Sequence, residues 1–438
     1  MAAHVLLGFS VRNYRSLRDQ QTISMVRRTK DGSTEFVNSD VVPALAIMGP
    51  NASGKSNLLR ALQTMFAMIR NSASHVDSPL PFDPFRLGDS IEPTTTFEVA
   101  VRFGEIRFDY EFTFDAARIH HERLLSWPKG RQRVLFERRT DEPDPWYFGD
   151  SLTGSNQALA KATRDDALFL STAKLLNHEV LAPIQQDLVT LIRSVGVEDS
   201  RGLLERTLES IQKEPALLNR VAGLLARADL GVVALEIQED EQAKLIRESA
   251  QRLFDSIPQS SDQGIQFKLD SGVSTLVPSL RHSGSRGGVI LPFSAESVGT
   301  KNFIGLLGPV LESLATGGVL VIDEIDTSLH SRLVNELVRL FQSPASNPNQ
   351  AQLLLSTHDV TVIMNTGDYD VLDRDQIWFV EKDPDGSSAV YPLTQFKARA
   401  GEVFSRYYLM DRYGAIPGID RHSFIEFLGS ETDQSEPS

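Results

Sequence analysis

Three hydrophobic patterns divide the chain. The segments "VLLGFSV" (5–11) and "ALAIM" (44–48) predict short strands, and "GGVLVIDEID" and "AQLLLSTHD" carry unbroken Val/Ile/Leu runs of the kind buried on both faces of a parallel sheet. In "FEVAVRFGEIRFDYEFTF" (97–114), apolar and polar residues alternate around Gly104. That predicts an antiparallel hairpin with one solvated face, continued as a meander to about Arg139. Leu and Ala at helical spacing predict a helix in "SNLLRALQTMFAMIR", directly after the second strand, another from about 328 to 342, and several between about 157 and 256. The last group breaks too often for a sustained coiled coil.

This order of elements predicts an α/β fold: a mixed and parallel sheet flanked by helices, with an antiparallel β subdomain and a helical insertion. Boundaries follow the changes of pattern. An N-terminal lobe spans 1–75, the β subdomain 76–145, a mainly helical insertion 146–274 and a C-terminal lobe 275–428. The polar, acidic "GSETDQSEPS", 429–438, reads as a disordered tail.

Composition narrows the functional classes. The 438 residues, 41% hydrophobic and 23% charged, can bury a sizeable core, and no stretch is apolar for long enough to span a bilayer, so no membrane association is expected. The first residues lack the basic flank and small-residue cleavage site of a secretory signal. There are no cysteines, which excludes disulfides, zinc–thiolate sites and thiol catalysis and suits a cytoplasmic protein. A net charge of −14 argues against a generally basic nucleic-acid binder, although residues 1–75 carry nine Lys/Arg against four Asp/Glu and residues 118–139 seven against two.

The candidate chemistry lies at the ends of the predicted strands. Gly49-Pro50-Asn51-Ala52-Ser53-Gly54-Lys55-Ser56 has the P-loop spacing G-x-x-x-x-G-K-[ST], between a strand and a helix as that motif requires. Glycines let successive amides and the helix N-terminus face phosphate oxygens, Lys55 supplies charge to the β- and γ-phosphates, and the Ser56 hydroxyl is a Mg²⁺ ligand. With Asn57 behind it, this run is the expected nucleotide-binding segment. "VLVIDEID" ends a buried strand in three acids within four residues. There Asp323 is suited to hold Mg²⁺ through water, and Glu324 to orient and deprotonate an attacking water. His358, after the next buried strand, is a candidate contact to the γ-phosphate and to that carboxylate. In "FSAESVGTKN", Ser297, Gly299 and Thr300 can open a helix and present amides and hydroxyls to a phosphate. If the local P-loop is filled, that phosphate belongs to a partner subunit's nucleotide; the plainer alternative is an ordinary N-cap.

The segments "GPNASGKS", "ESVGTKN", "VLVIDEID" and "STHD", in this order, resemble the ABC-type ATPase core shared by the SMC and RecF proteins, and "FSVRNYRSL" is similar to its first strand. The layout, the form "ES-x-GT" at 296–300, "RDQIWFVEKDPDGSSAVYPLTQF" and "RYGAIP" resemble more closely the stand-alone AAA family ATPases of bacterial defence loci, the RloA and AbiL type. The resemblance covers roughly residues 4–70 and 275–420. It implies an ABC-type P-loop NTPase core with ATP and Mg²⁺ as cofactors, and Asn13 and Arg15 near the nucleotide. Gly49 to Ser56 would be the Walker A loop, and Asp323 and Glu324 the Walker B pair. Ser297, Gly299 and Thr300 would be a signature contributed in trans, Asp326 would lie in a loop between subunits, and His358 would be a switch histidine. Two features depart from the family pattern. Val298 stands where a glycine is common in SMC signatures, and no residue between 76 and 100 fits the magnesium-sensing glutamine.

By this resemblance the chain is an ATPase that closes as a homodimer, or a higher homo-oligomer, around two Mg-ATP molecules. Its slow, dimer-dependent hydrolysis would act in anti-phage defence, sensing phage and controlling a separate toxic effector, a nuclease or toxin. The alternative is a RecF- or SMC-like ATPase of repair or maintenance, with DNA as its partner. A scaffold timed by hydrolysis is the non-enzymatic counterpart. A fused nuclease of the OLD type is disfavoured, because only about 80 residues follow His358.

Overall fold

The structure is a computed structural model that describes residues 3–27, 41–75, 79–88, 92–196, 200–239, 276–284, 288–327, 329–364, 371–397 and 401–418, with 245, 249 and 252 besides. In chain order the strands are β1 (His4–Arg12), β2 (Gln21–Ser24), β3 (Ala44–Met48), β4 (Thr95–Phe103), β5 (Ile106–Phe114), β6 (Ile119–Trp127), β7 (Arg133–Arg139), β8 (Trp146–Phe148), β9 (Ile192–Gly196), β10 (Val232–Glu239), β11 (Leu276–His282), β12 (Val289–Pro292), β13 (Val319–Asp323), β14 (Gln352–Thr357), β15 (Ile377–Lys382) and β16 (Ser388–Pro392). They form an antiparallel sheet β2-β1-β4-β5-β6-β7-β8, a largely parallel sheet β16-β15-β3-β14-β13-β9, and a small antiparallel sheet β10-β11-β12. In the second sheet β16 is the one antiparallel strand. The α/β class expected from the sequence is the one observed.

Side-chain pattern explains which sheet each strand joins. Every residue of β3 and β14 is buried, as the unbroken apolar runs require. In β4 alternate residues from Thr95 are buried, and its dry face meets Phe112 and Phe114 of β5 in an aromatic cluster around Phe97. The hairpin turns where expected, with Gly104 at φ +62°. Strand β1, buried along most of its length, pairs with β2 and β4 in the antiparallel sheet.

Helices Asn156–Ala162, Phe169–Leu175, Leu181–Leu191, Ser200–Lys213 and Ala216–Leu225 occupy the segment expected to be helical. Two strands were hidden there, β9 and β10. β9 pairs in parallel with β13 and forms an edge of the central sheet. Its five residues include Arg193, Ser194 and Gly196, so no periodic signal distinguishes it from a loop. Most of 240–275 and the tail 429–438 lie outside the described residues.

Buried polar groups fix how the layers meet. The fully buried Gln352 of β14 donates to Leu6 O (3.0 Å) and Val42 O (3.3 Å) and accepts from Leu6 N (2.7 Å), joining β1 to the parallel sheet. Helix Val298–Thr316 lies close against Ser200–Lys213. A Cβ at Gly308 would sit 2.4 Å from Thr207 Oγ1, and that hydroxyl donates to Gly305 O (2.6 Å). Among the described residues no helix is long and apolar enough to cross a membrane.

Candidate functional site

The all-apolar β3 ends at Met48, and the chain then wraps into a loop whose shape is imposed from several sides. A Cβ at Gly49 (φ +153°) would lie 2.2 Å from Val380 O in β15. One at Gly54 (φ +113°) would lie 2.3 Å from Ser388 Oγ and 2.8 Å from Ser16 Oγ. Both ends of the loop therefore need glycine for space as well as for backbone conformation. Asn51 and Ala52 at its crest are exposed, with Ala52 at φ +62°. Helix Lys55–Asn71 starts at Gly54 without a side-chain cap, which leaves its first-turn amides for an outside acceptor.

Three serines not singled out from the sequence support this site. Ser388 Oγ donates to Ser53 O (2.5 Å) and lies 2.8 Å from Ser16 Oγ, and Asn57 Nδ2 donates to Ser16 Oγ (2.9 Å). An Arg18–Asp385 ion pair closes the same junction. The Ser387 hydroxyl and amide, with Arg18, hold the Asp385 carboxyl down to about 2. The third serine is Ser356, described below. Single hydroxyls at a turn or a strand end carry no periodic signal, so only the folded contacts reveal them.

Lys55 is 4% exposed, and its ammonium donates to Gly49 O (2.8 Å) and Pro50 O (3.0 Å), 3.5 Å from His358 Nδ1. Burial pushes Lys55 down to about 8, against the opposing pull of Glu324, Asp323 and Asp326. The carboxylates come from the end of β13. Ser356 Oγ donates to Asp323 Oδ1 (2.5 Å) and accepts from Glu324 N (2.7 Å), which ties the two acids to β14. Glu324 adopts φ +52°, a left-handed conformation that costs a non-glycine residue ~1–2 kcal/mol. Asp326 Oδ2 accepts from His358 N (3.2 Å), while its Oδ1 is buried without a hydrogen-bond partner among the described residues. Lys55, Asp323, Glu324, Asp326 and His358 thus gather at the carboxyl ends of the adjacent parallel strands β3, β14 and β13.

Asn13 and Arg15 lie where β1 leaves its sheet, both with positive φ. Asn13 is 1% exposed and its amide is fully used: it donates to Glu92 O (2.9 Å) and Thr94 O (2.8 Å) and accepts from Phe85 N (3.0 Å). Arg15 donates its amide to Asp83 O (2.7 Å) and pairs with the Asp83 carboxylate (3.0 Å). Together they pin the segment after residue 82 beside the P-loop helix, where Arg15, Ser16, Asn57, Phe85 and Lys382 help line a cavity of 380 Å³.

The cradle suits phosphate, with tight glycines, an uncapped helix start, a buried lysine and the Ser53 hydroxyl, which is buried without a hydrogen-bond partner among the described residues. Among the described residues no group of three or more His, Asp or Glu side chains could hold a metal ion. A magnesium ion here would therefore draw on Ser56, Asp323 and the oxygens of the bound phosphates.

Ser297 is the N-cap of helix Val298–Thr316, its Oγ accepting from Thr300 N (3.1 Å) and lying 2.9 Å from Thr300 Oγ1. Ser297 and Val298 are exposed, Gly299 is half-buried and Thr300 is buried. Among the described residues no hydrogen bond or ion pair joins 297–300 to the P-loop or to Asp323 and Glu324.

The family described as "AAA domain, putative AbiEii toxin, Type IV TA system" matches residues 45–365, from the strand before the P-loop to just beyond His358. No curated protein matches the chain. Among solved structures, the SmcHead bound to the C-winged helix domain of ScpA is similar at 13% identity and a TM-score of 0.47, over 88% of this chain and 97% of that one.

Proposed function

The chain belongs to the AAA-domain family whose description names a putative AbiEii toxin, and from that premise we propose that it binds and hydrolyses ATP in sites completed by a second copy. The observation that carries this reading is the gathering of Lys55, Asp323, Glu324 and His358 at the ends of three neighbouring parallel strands. Lys55 would exchange its two loop carbonyls for phosphate oxygens. Glu324 would accept the proton of the attacking water as the bond between the γ-phosphorus and the ADP oxygen breaks, with His358 beside the departing phosphate. A magnesium ion held by Ser56, and by Asp323 through water, would neutralise charge on the phosphates. Asp326, bonded to the His358 amide, would lie where the two copies meet.

Ser297, Gly299 and Thr300 of one copy would face the nucleotide of the other, since among the described residues no hydrogen bond or ion pair ties them to their own P-loop. Closure then requires ATP, because ligand can shift an equilibrium only through contacts made in the favoured state. The test is the dependence of ATPase rate per chain on protein concentration, with sedimentation in ATP and in ADP. A rate that rises with concentration and a dimer specific to ATP are expected; a constant rate per chain would refute the shared site.

The biological role we propose, from the resemblance to the ATPases of bacterial defence loci, is defence against phage, with ATP-driven assembly controlling a separate toxic nuclease or toxin. Cells carrying the gene and its neighbours should resist phage, and Lys55→Ala should remove that resistance. One observation favours a second reading, a DNA-binding ATPase. At the amino ends of β9, β13 and β14, opposite the P-loop, a cleft of 1160 Å³ is lined by Arg102, Arg107, Lys129 and Arg193 against one acid, Glu105. Stimulation of the ATPase by duplex ends or gaps would shift weight to that reading.

A further inference from the structure

We propose that His282 and Glu296 form a positioning pair that holds the turn before Ser297 in the orientation a second copy can use. The proposal rests on the reading that Ser297 serves a partner's nucleotide. His282 ends β11, and its Nε2 lies 2.6 Å from Glu296 Oε1. The Glu296 side chain is 7% exposed although its neighbour Ser297 is exposed. A carboxylate so far removed from water depends strongly on its charge-assisted partner.

The position of the pair gives it this role. Residues Phe293–Ala295 make one short turn between β12 and helix Val298–Thr316, with Glu296 N donating to Phe293 O (3.1 Å). Strand β12 offers little support of its own: Val289, Ile290 and Leu291 are all exposed, and β11 is the strand it pairs with. β11 itself is anchored, because Leu280 is fully buried in the core that includes Leu235 of β10. The His282–Glu296 bond therefore carries the fixed position of β11 past the exposed strand to the turn. From the other side Lys301 Nζ donates to Ser294 O (2.8 Å). Neither bond forms the N-cap, which Ser297 and Thr300 make between themselves, so loss of the pair should loosen the turn without unwinding the helix. A loosened turn must be ordered again at each association, and that weakens the dimer rather than nucleotide binding by one chain.

The experiment uses the full chain carrying Glu324→Gln, with dimerisation in ATP followed by sedimentation and monomer affinity by a fluorescent ATP analogue. His282→Ala should weaken the dimer about tenfold while leaving monomer affinity within about twofold. His282→Gln, whose amide can still donate to Glu296, should restore most of the loss. The His282→Ala/Glu296→Ala double variant should be no weaker than either single variant, since each acts through the other. Additive losses would overturn the pair, as would an unchanged dimer in His282→Ala when Ser297→Arg abolishes dimerisation. If Ser297→Arg dimerises normally, the shared-site reading beneath the proposal fails instead. Should an alanine variant fold poorly, the comparison of His282→Phe with His282→Gln decides the matter, since both fill the space and only glutamine can donate to Glu296: a weaker dimer in His282→Phe with near-native dimerisation in His282→Gln supports the pair, and equal dimerisation in the two refutes it.

Discussion

Two helices begin next to candidate phosphate sites, and they begin in opposite ways. Lys55–Asn71 starts at Gly54 with no side-chain cap, inside a loop walled by β15, β16 and Ser16. Val298–Thr316 starts at Ser297, whose hydroxyl already caps it, and presents Ser297 and Val298 to solvent. An uncapped, enclosed helix end leaves amides for a ligand that enters it. At the capped, exposed end the Ser297 side chain takes one amide, that of Thr300, and the rest of the turn can meet only a group carried to it from outside. The contrast separates a loop that encloses its helix end from an end open to solvent, where we propose that a second copy docks.

That comparison breaks most sharply at Glu324. Glu324→Gln should lower ATP turnover by roughly 10²–10⁴-fold while ATP still binds and dimers accumulate, as sedimentation and phosphate release would register. Normal turnover would remove Glu324 as the base. Lys55→Ala attacks the enclosed end directly. Loss of its charge-assisted contacts should weaken ATP binding about a hundredfold by calorimetry, and dimerisation with it.

Solution pH sharpens the same contrast. Burial holds Lys55 down to about 8, so the ATP-free protein carries the charged ammonium below that pH and loses it above. Bound phosphates favour the charged form, so ATP affinity should fall several-fold between about pH 7 and about pH 9, whereas adenosine binding should not follow it. In the ATP-free protein the sign reverses. The folded chain binds fewer protons than the unfolded one above pH 8, so this lysine makes folding more favourable as pH rises from there to the ordinary lysine value.

The smallest effect expected is at the contact behind the exposed helix. Gly308→Ala places a methyl 2.4 Å from Thr207 Oγ1, and the overpacking should cost ~1–3 kcal/mol, seen as a lower Tm with ATP binding unchanged. An equal loss of ATP affinity would show that the two helix ends are not independent.

Local pattern made much of this legible. Unbroken apolar runs identified β3, β13 and β14, and alternation identified the hairpin turning at Gly104, because burial on two faces or one leaves different periodicities. The glycine spacing around Lys55 and the acids after β13 were equally plain, being contiguous chemistry at strand ends. β9 was not, since its hydrogen-bonding partner β13 lies more than a hundred residues away and its own residues are mixed. Ser356, which bonds both Asp323 and Glu324, and Ser388, which bonds the P-loop backbone, were missed for the same reason.

The sequence by itself determined most of the strands and helices, β9 and β10 excepted, and which short runs carry charge and hydroxyls, because those follow from neighbours within a few residues. Only the tertiary structure decided that β1 belongs to the antiparallel sheet, that Asn13 spends its whole amide on backbone, and that β15 and β16 leave room only for glycine at 49 and 54. Each of these depends on what another part of the chain brings within a few ångströms, and pairing across hundreds of residues leaves no mark on local periodicity.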